Sequence, residues 1–181
     1  MTSHLSTAIA SPRFADFFDT PLPRGLRDIT ADMSWDDVAT HFGSAGGAVR
    51  LEHWECTDLA RPTSRLGPQA RNYRATITVG AATTTVTTAA AGPIGALTAL
   101  LYECGAGLEM LRFHQLRSGG HTATFVLGSS RSRTEWAIGW SECAGESALR
   151  AVIACADRLY YPIGRSTIGI PSIGTGIPPK S

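Results

Sequence analysis

The chain has 181 residues, enough for one ordinary domain with extensions and a sizeable hydrophobic core. Its 16 Lys and Arg nearly balance 15 Asp and Glu, and the resulting net charge of +1 predicts neither nucleic acid nor an anionic membrane as a partner. No stretch reaches the ~20 apolar residues that span a bilayer, and the first residues lack the basic and apolar regions of a secretory signal. We therefore expect a cytoplasmic protein that does not bind membranes.

Residues 1–33 are interrupted by prolines, and we expect them to form a loosely ordered extension. An aromatic cluster lies among them, formed by Phe14, Phe17 and Phe18. This cluster could dock on the chain's own body or on a partner. Residues 34–47 are expected to be a linker with a short helix, because Ser34 followed by Asp37 resembles a capping box. The glycine-rich end of this linker predicts a hinge.

Two successive units with the order strand, strand, strand, helix are predicted over residues 48–160. Apolar and polar residues alternate with period two along each strand, as in strands that are buried on one face. The predicted strands cover residues 49–56, 72–79, 83–88, 108–114, 122–128 and 134–141. Each unit ends with an amphipathic helix, and the first helix starts at Gly92-Pro93, where proline suits the first turn.

This pattern predicts the α+β fold class, in which helices pack on one side of antiparallel sheets. Duplicated βββα units usually meet about a pseudo-two-fold axis, which leaves a groove between the two helix starts. Residues 161–181 differ from the rest, because Ile-Gly pairs recur every five residues among several prolines. They predict a flexible tail that could serve as a partner-binding arm.

The sequence contains no recognisable catalytic motif. It has no G-x-S-x-G, no phosphate-binding G-x-x-x-x-G-K-[ST] and no H-E-x-x-H. The four cysteines are scattered without C-x-x-C spacing and are expected to be structural. His114 and His121 flank a predicted hairpin turn and could approach each other, but no carboxylate or further cysteine joins them. We therefore expect no catalytic residue, no metal and no cofactor.

The two helix starts are candidates for binding a small molecule. A helix N-terminus presents free N–H groups and a partial positive charge, both of which suit a carboxylate. Small residues at Ala90–Gly92 and Ala144–Gly145 would let a ligand approach the backbone, with an apolar pocket for its side chain. The same residues are equally compatible with tight strand-to-helix turns that bind nothing.

Four motifs follow one another in the predicted units. They are Gly92-Pro93-Ile94-Gly95-Ala96-Leu97, Leu111-Arg112-Phe113-His114, Thr134-Glu135-Trp136-Ala137-Ile138-Gly139 and Ser147-Ala148-Leu149-Arg150-Ala151-Val152. In order and spacing they resemble the C-terminal regulatory (dimerisation) domain of 2-isopropylmalate synthase, which citramalate synthases and some homocitrate synthases share. The resemblance covers residues 48–160, and the helix predicted after Ser34 looks like that of the linker subdomain preceding this domain.

The resemblance implies two βββα units that dimerise and bind an inhibitory end-product amino acid between them. Catalysis in that family belongs to a separate metal-dependent TIM barrel with an H-x-H motif, and no part of that barrel is recognised in these residues. The implied protein is a non-catalytic homodimer that senses a small amino acid or related effector and modulates a separate acyltransferase subunit. The effector-binding residues that it implies are Ala91, Gly92, Ile94, Gly95, Met110, Phe113, Arg117 and Trp140.

The sequence departs from the family pattern around these positions. Ala90-Ala91 replaces the usual G-N, Arg112-Phe113 replaces D-Y, and Arg117 and Trp140 replace a small and an aliphatic residue. The Trp140 indole could fill the pocket or reshape it for another ligand. Two hypotheses therefore stand beside the effector sensor. One is a dimeric protein-interaction module with a closed ligand pocket, and the other is an enzyme that uses the turn between the two histidines.

Overall fold

The computed structural model describes residues 12–43, 47–58 and 69–160. The predicted tail over residues 161–181 lies outside the described residues, as do residues 1–11 and the centre of the hinge, residues 44–46. All six predicted strands and the three predicted helices fall within the described ranges, so their positions can be compared directly.

The N-terminal part contains a 3-10 helix (Phe14–Phe17), a one-turn helix α1 (Leu26–Ile29) and helix α2 (Trp35–Phe42). The predicted capping box at the start of α2 is confirmed. The Ser34 hydroxyl accepts a hydrogen bond from the Asp37 amide at 3.2 Å, and the Asp37 carboxylate accepts from the Ser34 amide at 3.1 Å. The hydrogen bond with the Ser34 side chain, and to a smaller extent the one with the Ser34 amide, hold the pKa of Asp37 below its usual range.

The first sheet is antiparallel in the order β1 (Val49–Cys56), β2 (Arg71–Val79), β3 (Ala82–Ala90). Its outer face is polar, and the hydroxyls of Thr76 and Thr85 pair across β2 and β3 at 2.9 Å. A bulge in β1 shifts its register on β2 by one residue. The first sheet is followed by helix α3 (Pro93–Glu103).

The second sheet is antiparallel in the order β4 (Glu109–Ser118), β5 (His121–Ser130), β6 (Arg133–Ser141). Helix α4 (Ala144–Tyr160) follows it and packs on β5 and β6. The order strand, strand, strand, helix thus occurs twice, with two separate three-stranded antiparallel sheets. The predicted α+β fold class is confirmed.

The main core lies where the two long helices meet the inner faces of the sheets. Helix α3 packs on β2 and β3, and α4 packs on β5, β6, β1 and α3. The contact between α4 and β6 is close, because the Ser147 hydroxyl donates to the Gly139 carbonyl at 3.0 Å. The buried residues of the main core are Val49, Ala75, Ile77, Leu97, Leu100, Leu101, Ala106, Leu108, Val126, Ala137, Leu149, Ala151, Val152, Ile153, Ala154, Cys155, Ala156 and Leu159.

A second cluster, the outer core, covers the face of the second sheet that points away from α4. Residues 12–33 and α2 supply one side of it, and alternate residues of β5 and β6 supply the other. Phe14 and Phe18 therefore dock on the chain's own body. Of the two possibilities for the aromatic cluster, its own body or a partner, the structure shows the first for these two residues. The buried residues of the outer core are Phe14, Phe18, Leu22, Leu26, Val38, Phe42, Ala123, Phe125, Trp136 and Ile138.

The last turns of α4 hold both ends of the linker between α2 and β1. The buried Asp157 carboxylate accepts from the Val49 amide at 2.9 Å, where β1 begins. The neighbouring Arg158 guanidinium donates to the His41 carbonyl near the end of α2, and to the Glu135 carboxylate at 2.9 Å. Two adjacent residues of one helix thereby fix α2 and β1 relative to the main core.

Candidate functional site

A groove of about 1080 Å³ opens where α2, β1, the start of α3, the end of β6 and the first half of α4 meet. Both helix starts contribute to it, since Pro93 is the first residue of α3 and Gly145 the second of α4. Its volume slightly exceeds the usual range of small-molecule pockets, which is about 300–1000 Å³. The lining residues are Phe14, Trp35, Ala39, Gly43, Arg50, Leu51, Glu52, His53, Trp54, Pro93, Ile138, Gly139, Trp140, Gly145, Glu146, Leu149, Arg150 and Ile153.

Charged groups of both signs line this groove, and they pair with one another. On α4, Arg150 and Glu146 form an ion pair at 2.5 Å, and on β1, Arg50 and Glu52 form one at 3.1 Å. Arg150 also donates to the Trp140 carbonyl at 2.9 Å, which ties the start of α4 to the end of β6. A hydrogen bond from Ser141, and to a smaller extent one from Arg150, lower the pKa of the Glu146 carboxyl. The groove therefore carries fixed charges but little net charge.

Aromatic rings form the wall of the groove on the side of α2 and β6. The Trp140 ring lies 4.4 Å from that of Trp35 in an edge-on arrangement and stacks on the His121 ring at 5.2 Å. Trp35 in turn contacts Phe14, with 5.3 Å between ring centroids. Trp140 is thus one member of an aromatic row that joins the groove to the outer core. Rings packed in this way present a firm wall to a ligand.

The eight residues predicted to bind an effector are distributed over three places, all within the described ranges. Ala91 and Gly92 form the turn before α3, and Ile94 and Gly95 belong to its first turn. The side chains of Ile94, Met110 and Phe113 pack against the main core, whereas Arg117 is exposed near the end of β4. Of the eight, Trp140 alone lines the groove. Pro93, which lies between the predicted residues Gly92 and Ile94 in the sequence, also lines it.

The sequence-based prediction missed most of the residues that line the groove. Glu146, Leu149, Arg150 and Ile153 follow one another on α4 at helical spacing and form a single stripe. Leu149 and Ile153 belong to the main core, and they also line the groove. The sequence signal that could have indicated these lining residues is the exposed Glu146–Arg150 pair, which has a spacing of four residues and lies next to the apolar Leu149 and Ile153.

The structure separates the two histidines that could have formed a dyad. His114 lies opposite Phe125 and His121 opposite Ser118 in the β4–β5 hairpin. Four strand positions therefore lie between them, about 13 Å at the rise of a β-strand. The expectation that they could approach each other is wrong, because the hairpin turn is tighter and its strands longer than predicted.

The described part of the chain shows no metal cluster, and burial affects two of its cysteine thiols. No group of three His, Cys, Asp or Glu side chains within residues 12–43, 47–58 and 69–160 could hold a metal ion. Burial raises the pKa of the Cys155 thiol to about 12, and burial also raises the pKa of Cys104. These two thiols stay protonated at neutral pH and are unsuited to nucleophilic attack.

No protein family model matches this chain, and no curated protein does. Among the described helices, none combines the length and apolar character needed to cross a membrane.

Proposed function

We propose that this chain is a non-catalytic regulatory protein that binds a small amino acid or related effector and modulates a separate acyltransferase subunit. The observation that carries the proposal is the groove formed by elements of both βββα units, with the first turns of α3 and α4 in its wall. We further propose that the two units are related by a pseudo-two-fold axis and that the protein is a homodimer. The support for both is the resemblance to the regulatory domain of 2-isopropylmalate synthase.

The charges in the groove favour a zwitterionic ligand over an anion. Arg150 and Arg50 each offer a guanidinium that can bind a carboxylate, and Glu146 and Glu52 each offer a partner for an ammonium group. A free amino acid carries both of these groups on one carbon atom. Its binding would exchange part of an internal ion pair for a pair with the ligand.

Apolar side chains beside these charges can hold the side chain of such a ligand. Leu149 and Ile153 lie next to Arg150 on α4, and Leu51 lies on the opposing strand β1. These three side chains are buried or half-buried and belong to the main core or pack against it. A polar end and an apolar end of the site are therefore supplied by neighbouring residues, as in small-molecule sites generally.

Thermal unfolding of the full chain against single amino acids and 2-oxo acids at millimolar concentration tests this proposal. A ligand at ~100 times its Kd adds ~2.7 kcal/mol, which is a rise of several degrees in Tm for a chain of this size. We expect one ligand to give this rise, the Arg150→Ala variant to lose it, and the Arg74→Ala variant to keep it. Arg74 is a matched control because it pairs with Glu55 outside the groove at 3.0 Å.

A panel in which no compound raises Tm contradicts the effector proposal. The alternative is then the dimeric interaction module with a closed ligand pocket. A rise that survives in Arg150→Ala and disappears in Arg74→Ala would also contradict the groove as the binding site. Because both variants replace an arginine in an exposed ion pair, a general effect of lost charge would appear equally in both.

A further inference from the structure

Strand β3 lies at an edge of the first sheet and has one open side. In the described part of the chain it pairs with β2 alone, over all nine residues from Ala82 to Ala90. None of these nine residues is buried, and six of them are exposed. The backbone groups on the open side of β3 are therefore accessible to another strand.

The backbone hydrogen bonds of β2 identify which residues of β3 direct their N–H and C=O groups outward. The Asn72 carbonyl accepts from the Thr57 amide and the Asn72 amide donates to the Asp58 carboxylate, each at 2.9 Å, so both groups face away from β3. Ala89, the partner of Asn72 on β3, is therefore in a non-hydrogen-bonded pair, and its own groups point away from β2. By alternation along the strand, the other residues whose groups point outward are Thr83, Thr85 and Thr87.

The edge of β3 lacks the features that usually keep an edge strand from pairing with another chain. Natural edge strands are interrupted by charged side chains, prolines or bulges. β3 has no charged residue and no proline, and its register on β2 is unbroken. The other edge strands of the two sheets each carry charged residues, and β1 and β4 also contain a bulge. Among these edges, β3 is therefore the one suited to pairing.

The sequence of β3 is complementary to itself in one antiparallel register. When Val86 lies opposite Val86 of a second copy, position 85 lies opposite 87 and position 84 opposite 88. Threonine then faces threonine at all of these positions, and cross-strand Thr–Thr pairs stabilise a sheet. The same register pairs all four outward-pointing residues, 83 with 89 and 85 with 87. A shift by two residues in either direction leaves one of the four without a partner.

Charge and burial also favour a second copy of the chain at this edge. A two-fold axis brings equivalent residues close together, so a charged strand would meet like charges across it. β3 carries no charge, and this repulsion does not arise. On the inner face of β3, Val86 packs against the main core but is only half-buried, and Thr84 beside it is exposed. A second copy would cover the open side of Val86.

We propose that two copies of this chain join through β3, antiparallel and with Val86 on the two-fold axis, so that their first sheets form one six-stranded sheet. This inference rests on the homodimer proposed above and assigns its interface. The interface uses the edge of the first sheet opposite to β1, the strand that lines the groove.

Disulfide cross-linking of the full chain tests the register. We expect Val86→Cys to form a covalent dimer under mild oxidation, because opposite residues of a non-hydrogen-bonded pair have Cα atoms about 4.5 Å apart, within disulfide range. Thr84→Cys lies on the same face and should not link to itself, because its two copies would be four positions apart, about 13 Å. It should link to Thr88→Cys when the two variants are mixed. All variants carry Cys143→Ser, because Cys143 is exposed.

Thr85→Pro tests the edge hydrogen bonds without any disulfide. The Thr85 amide points away from β2, so proline removes no bond between β2 and β3, and circular dichroism should match that of the natural chain. The dimer loses the bond donated by this amide in both copies, and we expect its Kd to rise at least ~10-fold. The control, Thr85→Val, keeps the amide and removes the hydroxyl that pairs with Thr76, and its Kd should stay close to that of the natural chain.

Light scattering over a range of concentrations separates failure of this interface from failure of the homodimer. A chain that is monomeric at every concentration contradicts both, while the thermal panel still tests effector binding. A dimer that is not weakened in Thr85→Pro and not cross-linked in Val86→Cys overturns the β3 interface and leaves the homodimer standing. Equal cross-linking of Val86→Cys and Thr84→Cys alone also overturns it, because random collision gives that result. If Thr85→Pro does not fold, the cross-linking pattern decides.

Discussion

At the residue scale, Gly139 shows how closely α4 rests on the second sheet. A Cβ atom at this position of β6 would overlap the Ser147 carbonyl oxygen and lie 2.5 Å from the Ala151 amide nitrogen. Both obstacles are helix backbone, which cannot rotate away. We expect Gly139→Ala to lower the free energy of unfolding by about 1–3 kcal/mol, as for overpacking in a well-packed core, and urea denaturation measures the loss.

Gly145 provides the matched control for this substitution. It lies in the first turn of α4 and lines the groove, and a Cβ there would meet only the Cys143 sulfur, at 3.8 Å. Since alanine favours helix over glycine, Gly145→Ala should leave stability unchanged or slightly raised. If both substitutions cost the same free energy, the close approach of α4 to β6 is not the cause of the loss at Gly139.

At the scale of elements, the C-terminal end of α4 joins three parts of the fold through Arg158. Its side chain is 15% exposed and pairs with Glu135 on β6 while donating to the His41 carbonyl at the end of α2. We expect Arg158→Ala to cost about 2–3 kcal/mol, because it leaves a half-buried carboxylate and a carbonyl short of a donor. Chemical denaturation followed by circular dichroism measures this change.

Arg74→Ala is the control, because Arg74 also pairs with a glutamate on a neighbouring strand but is 52% exposed. An exposed pair of this kind contributes less than ~1 kcal/mol. A loss in Arg158→Ala no larger than in Arg74→Ala would contradict the role of α4 in holding α2. In that case the wall of the groove that α2 supplies would depend on the outer core alone.

Local sequence patterns predicted the elements well, and contacts between distant elements less well. The bounds of α2 and β1 match the structure, because a capping box and a period-two alternation are read within a few residues. Residues 12–33 dock on a face of β5 and β6. The alternation of apolar and polar residues along these strands does not show which other segment of the chain packs on that face. The groove was missed for a similar reason, since five elements remote in sequence contribute its walls.

At the scale of the whole molecule, the second sheet is the element that both cores share. Val126 of β5 points into the main core, and its neighbour Phe125 points into the outer core. Side chains pack on both faces of β5 and β6, and each strand contributes residues to both cores. Unfolding of one core would therefore expose strands on which the other core is built. We therefore expect the two cores to unfold together as one cooperative unit, as is usual for a domain of this size.

Phe14→Ala tests this coupling, because Phe14 is fully buried at the centre of the outer core, with ring centroids 5.2 Å from Phe18 and 6.2 Å from Phe125. Removing a buried phenylalanine costs about 3–5 kcal/mol, and the whole of this cost should appear in one transition. In a Trp54→Phe background, which removes the tryptophan that packs against the main core, fluorescence reports on the outer core through Trp35, Trp136 and Trp140, while far-ultraviolet circular dichroism reports on the helices. We expect both midpoints to fall together in Phe14→Ala and to move little in Phe17→Ala, whose ring is 38% exposed. A fall in the fluorescence midpoint alone would show that residues 12–43 unfold separately, and that the two cores are not coupled through the sheet.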